Sequence, residues 1–332
     1  MGDDVSLAAR VLCCIMGSIR GGPLAWQSLE LRVLRPLNAD LAVLGEQVRP
    51  SQAPLYKLAR YVWPAPEPSD WGTLVTELTG SEAWRAQAAQ HPSDGLWGGV
   101  VLTGGRPLNG SGAVIFSLRL VLLRQLERLF ADPSAPQYGQ VIVTRSDHFY
   151  ACEHPRLPAA HVWVPSGEGF GGVTDRHVAM PPRLARAVLS PLPWLADGRC
   201  APQCASLLSP EWALAAYWKA QSIKWRISVR NMFTVIAQDD TTRWVGGSGI
   251  GLGDKLPGLQ VKYVTEFFRT TCSCPRANCV FARPNSTMSC SAPPNTEPAA
   301  DRHAAACERN MKHPGKNGAV GRAIRRHANS SH

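Results

Sequence analysis

The feature that most constrains the fold is a pair of apolar runs near the N-terminus, separated by a glycine-rich turn and a helical pattern. Residues 10–22 (RVLCCIMGSIRGG) predict a buried strand that ends in this turn. The segment WQSLELRVLRPL then places Leu29, Val33 and Leu37 on one face of a helix that ends near Pro36. The next apolar run, ADLAVLG, predicts a second strand. A strand, a helix and a strand in this order form a βαβ unit, so the sequence predicts parallel strands in an α/β fold.

Apolar periodicity further along the chain predicts the other elements of such a fold. Helices are predicted at residues 81–90, 113–130 and 209–223, the last with Ser209 as its N-cap. Strands are predicted at residues 139–147, 161–165 and 224–238, and residues 258–271 predict a closing helix or strand. Residues 50–112 are rich in proline and glycine, which predicts long connecting loops around the first of these helices.

The composition fits a globular domain followed by a basic tail. Hydrophobic residues make up 45% of the 332-residue chain and charged residues 18%, which is enough apolar sequence for a sizeable core. The net charge is +10, and residues 301–332 supply half of it, with seven Lys and Arg against two Asp and Glu. The mildly basic remainder suits a phosphorylated small molecule, so no nucleic-acid partner is expected. We predict one α/β domain at residues 8–280 and a disordered basic tail at residues 284–332.

The ten cysteines leave several chemical states open. Two groups of cysteines match the spacing of a zinc site only weakly. They are Cys200 and Cys204, and Cys272, Cys274 and Cys279. Disulfide bonds in a secretory lumen are an alternative, because the sequence also contains glycosylation sequons. Free buried thiols are the third alternative and the favoured one.

Polar residues follow three of the apolar segments, at MGSIRGG, TRSDH and GFGGVTDRH. In open α/β sheets, ligands bind at the carboxyl ends of the strands. The glycines of the first turn, including Gly17, let backbone amides approach a phosphate, and Arg20 adds a guanidinium group. Arg145 suits direct neutralisation of a diphosphate, and Asp147 suits a divalent cation that bridges one. The alternative is that Arg145 and Asp147 form a salt bridge that only fixes a loop.

The segment GQVIVTRSD, followed by VWVPSGEGFGGVTDRHVAM, resembles a family of algal and plant glycosyltransferase-like proteins. In that family a strand ends in Arg-x-Asp, and a Tyr/Phe-Gly-Gly-x-x-Asp-Arg loop follows it. The segments VLCCIMGSIRGG and ADLAVLG stand where the family has its first strand, its turn and its second strand. The resemblance covers residues 10–271 in patches and leaves the tail unmatched. Because this family is similar to nucleotide-sugar glycosyltransferases of the GT-A type, it implies a single Rossmann-like α/β/α sandwich with a mostly parallel central sheet.

The resemblance also implies a role for each motif residue. Asp147 stands at the second acid of the Asp-x-Asp that holds a metal on the donor diphosphate in GT-A enzymes, which implies Mn²⁺ or Mg²⁺. Arg145 takes the place of the first acid, so the alternative is a metal-independent site in which arginine stabilises the departing diphosphate. Glu211 resembles the late acid that acts as general base, and Asp175 is the other catalytic candidate. The residues implied in donor or phosphate binding are Gly17, Ser18, Arg20, Arg145, Asp147, Gly171, Gly172 and Arg176.

The resemblance, together with these residues, implies a glycosyltransferase that moves a sugar from a nucleotide-diphosphate donor to a hydroxyl of an unknown glycan or protein acceptor. Phe170 or Trp163 is expected to lie against a sugar or base ring. The alternative function is a catalytically inactive domain of the same fold that binds a glycan or a protein. A third and weaker alternative is nucleic-acid binding through the basic tail and the cysteines, which would depend strongly on salt.

The sequence leaves the cellular compartment open. It contains no apolar run of about 18 residues or more, so no transmembrane helix is expected. The resemblance implies the Golgi lumen behind an N-terminal membrane anchor, for which the early first strand leaves no room. The alternatives are therefore an anchor that is missing from this sequence and a cytoplasmic protein.

Overall fold

The computed structural model describes residues 10–46, 49–90, 95–102, 105–199, 209–237, 250–252 and 256–274. In chain order the strands are β1 (Arg10–Met16), β2 (Ala39–Gly45), β3 (Ala59–Pro64), β4 (Tyr138–Thr144), β5 (His148–Tyr150), β6 (Val162–Pro165), β7 (Val178–Met180), β8 (Trp225–Ser228), β9 (Met232–Ala237), β10 (Ile250–Gly251) and β11 (Leu259–Val261). The helices are α1 (Gly22–Leu29), α2 (Arg35–Leu37), α3 (Ala53–Leu58), α4 (Trp71–Thr79), α5 (Trp84–Gln90), α6 (Gly112–Ala131), α7 (Ala185–Leu189), α8 (Pro191–Ala196), α9 (Pro210–Ala220) and α10 (Val264–Ser273). A π-helical turn (Glu30–Leu34) joins α1 to α2, and short 3₁₀ helices lie at Pro50–Gln52, Gly95–Trp97 and Pro182–Leu184.

A seven-stranded sheet in the order β3-β2-β1-β4-β7-β6-β8 forms the centre of the fold. Strand β7 is antiparallel to both of its neighbours, and the other described pairs of this sheet are parallel. Strand β1 lies between β2 and β4, where Cys13 stands opposite Leu41 on one side and Ile142 on the other. The predicted βαβ unit and the mostly parallel central sheet are confirmed.

Both faces of this sheet are covered, which explains why β1 and β4 are apolar without alternation. Leu12 and Cys14 point to one face and pack with side chains of α4, α6, α8 and α9. Val11, Cys13 and Ile15 point to the other face and pack with α1 and with a second sheet. The predicted long buried helix is confirmed as α6, and the predicted helix after Ser209 is confirmed as α9. The chain therefore forms the α/β sandwich that the sequence predicts.

The structure corrects the long loops predicted for residues 50–112. This region contains α3, β3, α4 and α5, and the short helix predicted there begins only at Trp84. Strand β3 lies at the sheet edge, alternates between half-buried and exposed residues, and ends at Pro64, so it gives no apolar run. Helix α4 begins after Asp70, whose side chain accepts a hydrogen bond from the backbone N of Gly72 at 2.8 Å. The surrounding proline-rich sequence obscured both elements.

A four-stranded sheet in the order β10-β11-β9-β5 covers part of one face of the central sheet and was not predicted. The single strand predicted at residues 224–238 is wrong, because β8 belongs to the central sheet and β9 to the second one. Between them, buried Arg230 donates to the backbone O of Ser166 at 2.6 Å and of Gly167 at 3.1 Å. These bonds fix the point where the chain changes sheets. The closing segment contains both of its predicted alternatives, β11 and then α10.

The described cysteines occur in two of the three expected states. Cys13 and Cys14 are buried thiols of β1, and burial raises the pKa of Cys13 to about 12. Cys152 and Cys274 form a disulfide that joins the residues after β5 to the end of α10. Cys272 is disulfide-bonded as well. The other cysteines lie outside the described residues.

The ends of the chain bear on two further expectations. The predicted basic tail at residues 284–332, and both ends of the predicted domain at residues 8–280, lie outside the described residues. Within the described ranges, no helix combines the length and the apolar content of a membrane span.

Candidate functional site

A cavity of about 250 Å³ opens where β1, β2 and β4 end. This is the edge at which ligands bind in open α/β sheets. All of the predicted site residues except Gly171 and Gly172 line this cavity. They are Gly17, Ser18, Arg20, Arg145, Asp147, Asp175, Arg176 and Glu211. The fold therefore brings together the three polar segments that the sequence placed after apolar runs, together with the first turn of α9.

One wall of the cavity is a carboxylate held between two arginines. Arg145 donates to both oxygens of Asp147, from Nε to Oδ1 at 2.8 Å and from Nη2 to Oδ2 at 2.7 Å. Nη2 of Arg20 lies 3.1 Å from Oδ2 of the same carboxylate. Burial alone would raise the pKa of Asp147, but the charges of Arg145 and Arg20 hold it well below its ordinary value. These three residues, which we call the cavity cluster, carry one net positive charge.

The turn after β1 brings Arg20 to this carboxylate. Gly21 has a φ of +91°, and a Cβ there would lie only 2.6 Å from Cα of Asp147. The backbone N of Arg20 donates to Oγ of Ser146 at 2.8 Å, and its carbonyl O accepts from Nε1 of Trp26 at 2.9 Å. The close approach of the two loops therefore requires glycine at position 21.

Asp147 is a poor ligand for the predicted Mn²⁺ or Mg²⁺. Both of its oxygens accept charged hydrogen bonds from Arg145, and Arg20 lies beside them. A divalent cation there would have to displace a guanidinium group or lie next to two positive charges. Within the described ranges, no three His, Cys, Asp or Glu side chains are placed to hold a metal ion. The residues present fit the metal-independent alternative better than a metal site.

Sequence reasoning missed two further residues of this cavity, a lysine and a tyrosine. Lys262 and Tyr263, between β11 and α10, line the cavity. Burial and the charge of Arg20 lower the pKa of Lys262 to about 8. The ring centre of Tyr263 lies 4.1 Å from Cζ of Arg176. Glu46 also lines the cavity, and it could have been predicted because it directly follows the apolar strand ADLAVLG. Lys262 follows the segment LQV in the same way, but three residues are too few to be recognised as a strand.

Arg176 is anchored mainly by the carboxylate of Glu266, and less closely by that of its neighbour Asp175. Its Nη1 lies 2.8 Å from Oε1 of Glu266, whereas its Nε lies 3.9 Å from Oδ1 of Asp175. Glu266 also lies 3.2 Å from Nη1 of Arg230 and accepts from the backbone N of Thr234 at 2.7 Å. Burial would raise the pKa of Glu266, but Arg230 and Arg176 lower it to about 2. We call Glu266, Arg176 and Arg230 the buried cluster.

Two further carboxylates, Asp175 and Glu211, line the same cavity. Burial and the neighbouring charge of Asp175 raise the pKa of Glu211. Oδ1 of Asp175 is buried and accepts no hydrogen bond from the described residues. Its backbone carbonyl accepts from Nη2 of the fully buried Arg119 of α6 at 2.9 Å, which fixes the loop. A carboxylate with a raised pKa in a cavity is suited to accept a proton.

Gly171 and Gly172 lie against the first turn of α9 instead of lining the cavity. A Cβ on Gly172 would overlap the backbone of Glu211, and a Cβ on Gly171 would overlap the indole of Trp212. The backbone N of Val173 donates to the carbonyl O of Glu211 at 3.1 Å. These glycines therefore set the positions of Glu211 and Trp212.

Of the two aromatic residues expected near a ligand ring, Phe170 lies beside the cavity and Trp163 does not. Trp163 is buried in the core, and its Nε1 donates to the carbonyl O of Pro158 at 2.9 Å. Phe170 is exposed, and its ring centre lies 5.7 Å from Cζ of the cavity residue Arg176.

Three buried histidines form a hydrogen-bonded chain next to the strand ends. Because the carbonyl of Pro155 can only accept, Nδ1 of His154 donates to it at 2.8 Å, and Nε2 of His154 accepts from Nε2 of His177 at 3.1 Å. Nδ1 of His177 then accepts from the hydroxyl of Thr144 at 3.1 Å. The oxygen of this hydroxyl accepts in turn from Nδ1 of His148 at 3.0 Å. Burial lowers the pKa of His148 to about 3 and of His154 to about 4, which fits this neutral chain. The chain ties together β4, β5 and β7.

Comparisons with known proteins add two remote likenesses. No family model and no curated protein matches the chain. The apo structure of mouse xyloside xylosyltransferase 1 is similar over 66% of this chain and 84% of its own, at 10% identity and a TM-score of 0.27. The PaToxG glycosyltransferase is similar over 64% of this chain and 69% of its own, at 10% identity and a TM-score of 0.30.

Proposed function

We propose that this chain is a glycosyltransferase that moves a sugar from a nucleotide-diphosphate donor to a hydroxyl acceptor without a metal ion. The observation that carries the proposal is a single cavity, at the strand ends, that holds both a cluster of cations and a pair of buried carboxylates. The cations Arg20, Arg145 and Lys262 suit a diphosphate. The carboxylates Asp175 and Glu211 suit an acceptor hydroxyl.

The cavity cluster would stabilise the leaving group. As the bond between the anomeric carbon and the diphosphate oxygen breaks, negative charge grows on the diphosphate. Arg20 and Arg145 are already held by Asp147, so they meet this charge without the cost of reorienting. Lys262 adds a further positive charge at neutral pH, since its pKa is about 8. In this mechanism Asp147 positions the arginines and touches neither substrate.

Glu211 would act on the acceptor. Its carboxylate takes the proton of the acceptor hydroxyl while the acceptor oxygen forms its bond to the anomeric carbon, and the diphosphate leaves with the electron pair of the broken bond. The raised pKa of Glu211 makes it a stronger base than an ordinary glutamate. Asp175, which carries a buried oxygen without a described hydrogen-bond donor, would hold the acceptor or a donor hydroxyl.

A panel of nucleotide sugars tests this proposal through the slow release of nucleoside diphosphate, measured in EDTA and again with Mn²⁺. We expect one donor to be hydrolysed in EDTA, and Glu211→Gln to lower its rate by about 10²- to 10⁴-fold, the usual contribution of a general base. Glu82→Gln is the matched control, because Glu82 forms an exposed pair with Arg85. Release that needs Mn²⁺, or that survives Glu211→Gln, would contradict the proposed mechanism.

The second candidate is a catalytically inactive domain that binds a glycan or a protein. Arg145, in place of the first acid of the resembled motif, favours it. Calorimetry distinguishes the two candidates before any turnover is measured. A folded protein that binds no nucleotide sugar from the panel would support the inactive domain.

The disulfide between Cys152 and Cys274 bears on the compartment. Disulfides persist in oxidising compartments and are rare in the cytosol, so we propose a secretory lumen instead of the cytoplasm. Alkylation of the protein in cell extracts, followed by mass spectrometry, checks this proposal. Both cysteines should resist alkylation until a reductant is added, and labelling of both without reductant would contradict it.

A further inference from the structure

We propose that Phe170 and Trp212 form an aromatic platform that binds a sugar ring of the acceptor, so that the acceptor is a glycan. This inference rests on the proposed function, because it assigns the acceptor side of the same cavity. The two residues are defined here as the acceptor platform.

Neither residue of the acceptor platform lines the cavity itself, but each adjoins a residue that does. Trp212 directly follows Glu211 in the first turn of α9, and Glu211 lines the cavity. Phe170 packs near Arg176, another cavity residue. Nε1 of Trp212 donates to the carbonyl O of Phe170, which joins the two residues directly. We therefore place a ring held on this platform next to the cavity that contains the proposed base.

Both side chains are unusually exposed for their size. Phe170 is 57% exposed and Trp212 is 42% exposed. Leaving this much aromatic surface in water is unfavourable, and exposed apolar surface at a cavity edge is typical of a binding site. Other tryptophans of the chain are buried in the core by contrast, as seen for Trp84, Trp163 and Trp218.

The backbone is shaped to present these rings. Phe170 has a φ of +42° and Glu168 a φ of +54°, a region that bulky residues rarely occupy. Gly171 follows with a φ of +86°, and any side chain there would overlap the Trp212 indole. The Phe-Gly-Gly sequence thus exposes one ring and makes room for the other. The platform therefore gives the Phe-Gly-Gly motif a role, although its glycines do not line the cavity.

A sugar ring matches the chemistry of this surface. Pyranoses carry a face of C–H bonds that packs on aromatic rings and an edge of hydroxyls that donates to carboxylates. The platform supplies the aromatic surface, and Glu211 supplies the carboxylate next to it. A peptide hydroxyl would need the carboxylate but not the two exposed rings.

Saturation-transfer NMR with methyl pyranosides of glucose, galactose, mannose and xylose tests the platform without requiring turnover. The full chain is used with a nucleoside diphosphate present. We expect saturation at the ring C–H protons of at least one glycoside, and a Kd that rises about tenfold in Trp212→Ala, as expected for one lost aromatic contact. Trp212→Phe should restore most of the affinity. Phe130→Ala should leave it unchanged, because Phe130 is an exposed ring near the end of α6.

Transfer assays supply the second arm. If a donor is hydrolysed, the same glycosides should accelerate nucleoside diphosphate release, and Trp212→Ala should raise the KM of the glycoside far more than the KM of the donor. Acceleration by Ser-, Thr- or Tyr-containing tripeptides and by no glycoside would overturn the glycan acceptor while leaving the transferase intact. An unchanged glycoside Kd in a folded Trp212→Ala protein, or no saturation of any glycoside by the parent, would overturn the platform itself. Failure of donor binding alone would instead count against the proposed function.

Discussion

The cavity cluster and the buried cluster have the same composition, one carboxylate between two arginines, but they differ in what surrounds them. In the cavity cluster the side chains of Arg145 and Arg20 keep 22% and 11% exposure and line the cavity. In the buried cluster Arg230 is 1% exposed and Glu266 is fully buried. Both clusters carry one net positive charge. The surplus charge of the cavity cluster faces the cavity, whereas in the buried cluster Arg176 alone reaches the cavity lining and Arg230 and Glu266 are enclosed by the protein.

Backbone contacts explain this difference. Arg230 donates to the carbonyls of Ser166 and Gly167, and Glu266 accepts from the backbone N of Thr234, so the buried cluster is tied to both sheets. In the cavity cluster the carboxylate of Asp147 instead accepts from the side chain of Arg145 at the cavity wall, and only the backbone O of Asp147 is tied to β9, where it accepts from the N of Val235 at 2.8 Å. The same three charges can therefore hold a fold together or form a preorganised anion site, depending on burial.

The largest expected effect is on stability, from Glu266→Gln. Removing this charge leaves Arg230 buried without an ion-pair partner among the described residues, and it leaves Arg176 only the longer contacts with Glu168 at 3.6 Å and Asp175 at 3.9 Å. This loss should cost about 3–5 kcal/mol of unfolding free energy. Chemical denaturation measures this cost. Glu82→Gln, in an exposed pair with Arg85, should change stability by less than about 0.5 kcal/mol. Equal denaturation midpoints for the two variants would contradict a structural role for the buried cluster.

Arg145→Gln should instead act mainly on ligand binding. The loss of one charged hydrogen bond to a diphosphate should weaken nucleoside diphosphate binding by about 1.5–3 kcal/mol, or roughly tenfold to a hundredfold. Asp147 retains Arg20 as a partner, so the fold should tolerate the change. Calorimetry measures the affinity, with Arg85→Gln as the exposed control. If affinity is unchanged while stability collapses, the two clusters have the same structural role.

The smallest expected effect is a pH dependence that comes from Lys262. Its pKa is about 8, so its positive charge is present below this pH and is lost as the pH rises through it. Diphosphate affinity should therefore fall between about pH 7 and about pH 9, by about 1 kcal/mol, as for one partly screened charge. Lys262→Met should bind more weakly at the lower pH and should lose this slope. If the pH dependence of diphosphate affinity persists in Lys262→Met, it comes from a group other than Lys262.

The sequence predicted the cavity cluster and missed the buried cluster for a physical reason. Arg20, Arg145 and Asp147 each follow a recognisable apolar strand, and parallel strands end at one edge of a sheet. Glu266 lies in α10, and it meets Arg176 across 90 residues of chain with no local pattern to indicate the pairing. The second sheet was missed because β5 and β11 have three residues each and show no period. Trp212 stood beside the predicted base, but only the fold shows that its ring packs over Gly171.

The most direct test of the account is the binding of a nucleoside diphosphate to the parent chain and to Asp147→Asn, measured by calorimetry in EDTA and again with Mn²⁺. We predict that the parent binds in EDTA, that Mn²⁺ changes its Kd by less than about threefold, and that Asp147→Asn still binds within about tenfold of the parent, because the arginines carry the contact. Binding that appears only with Mn²⁺ and disappears in Asp147→Asn would make Asp147 a metal ligand, and it would contradict the arginine-based site.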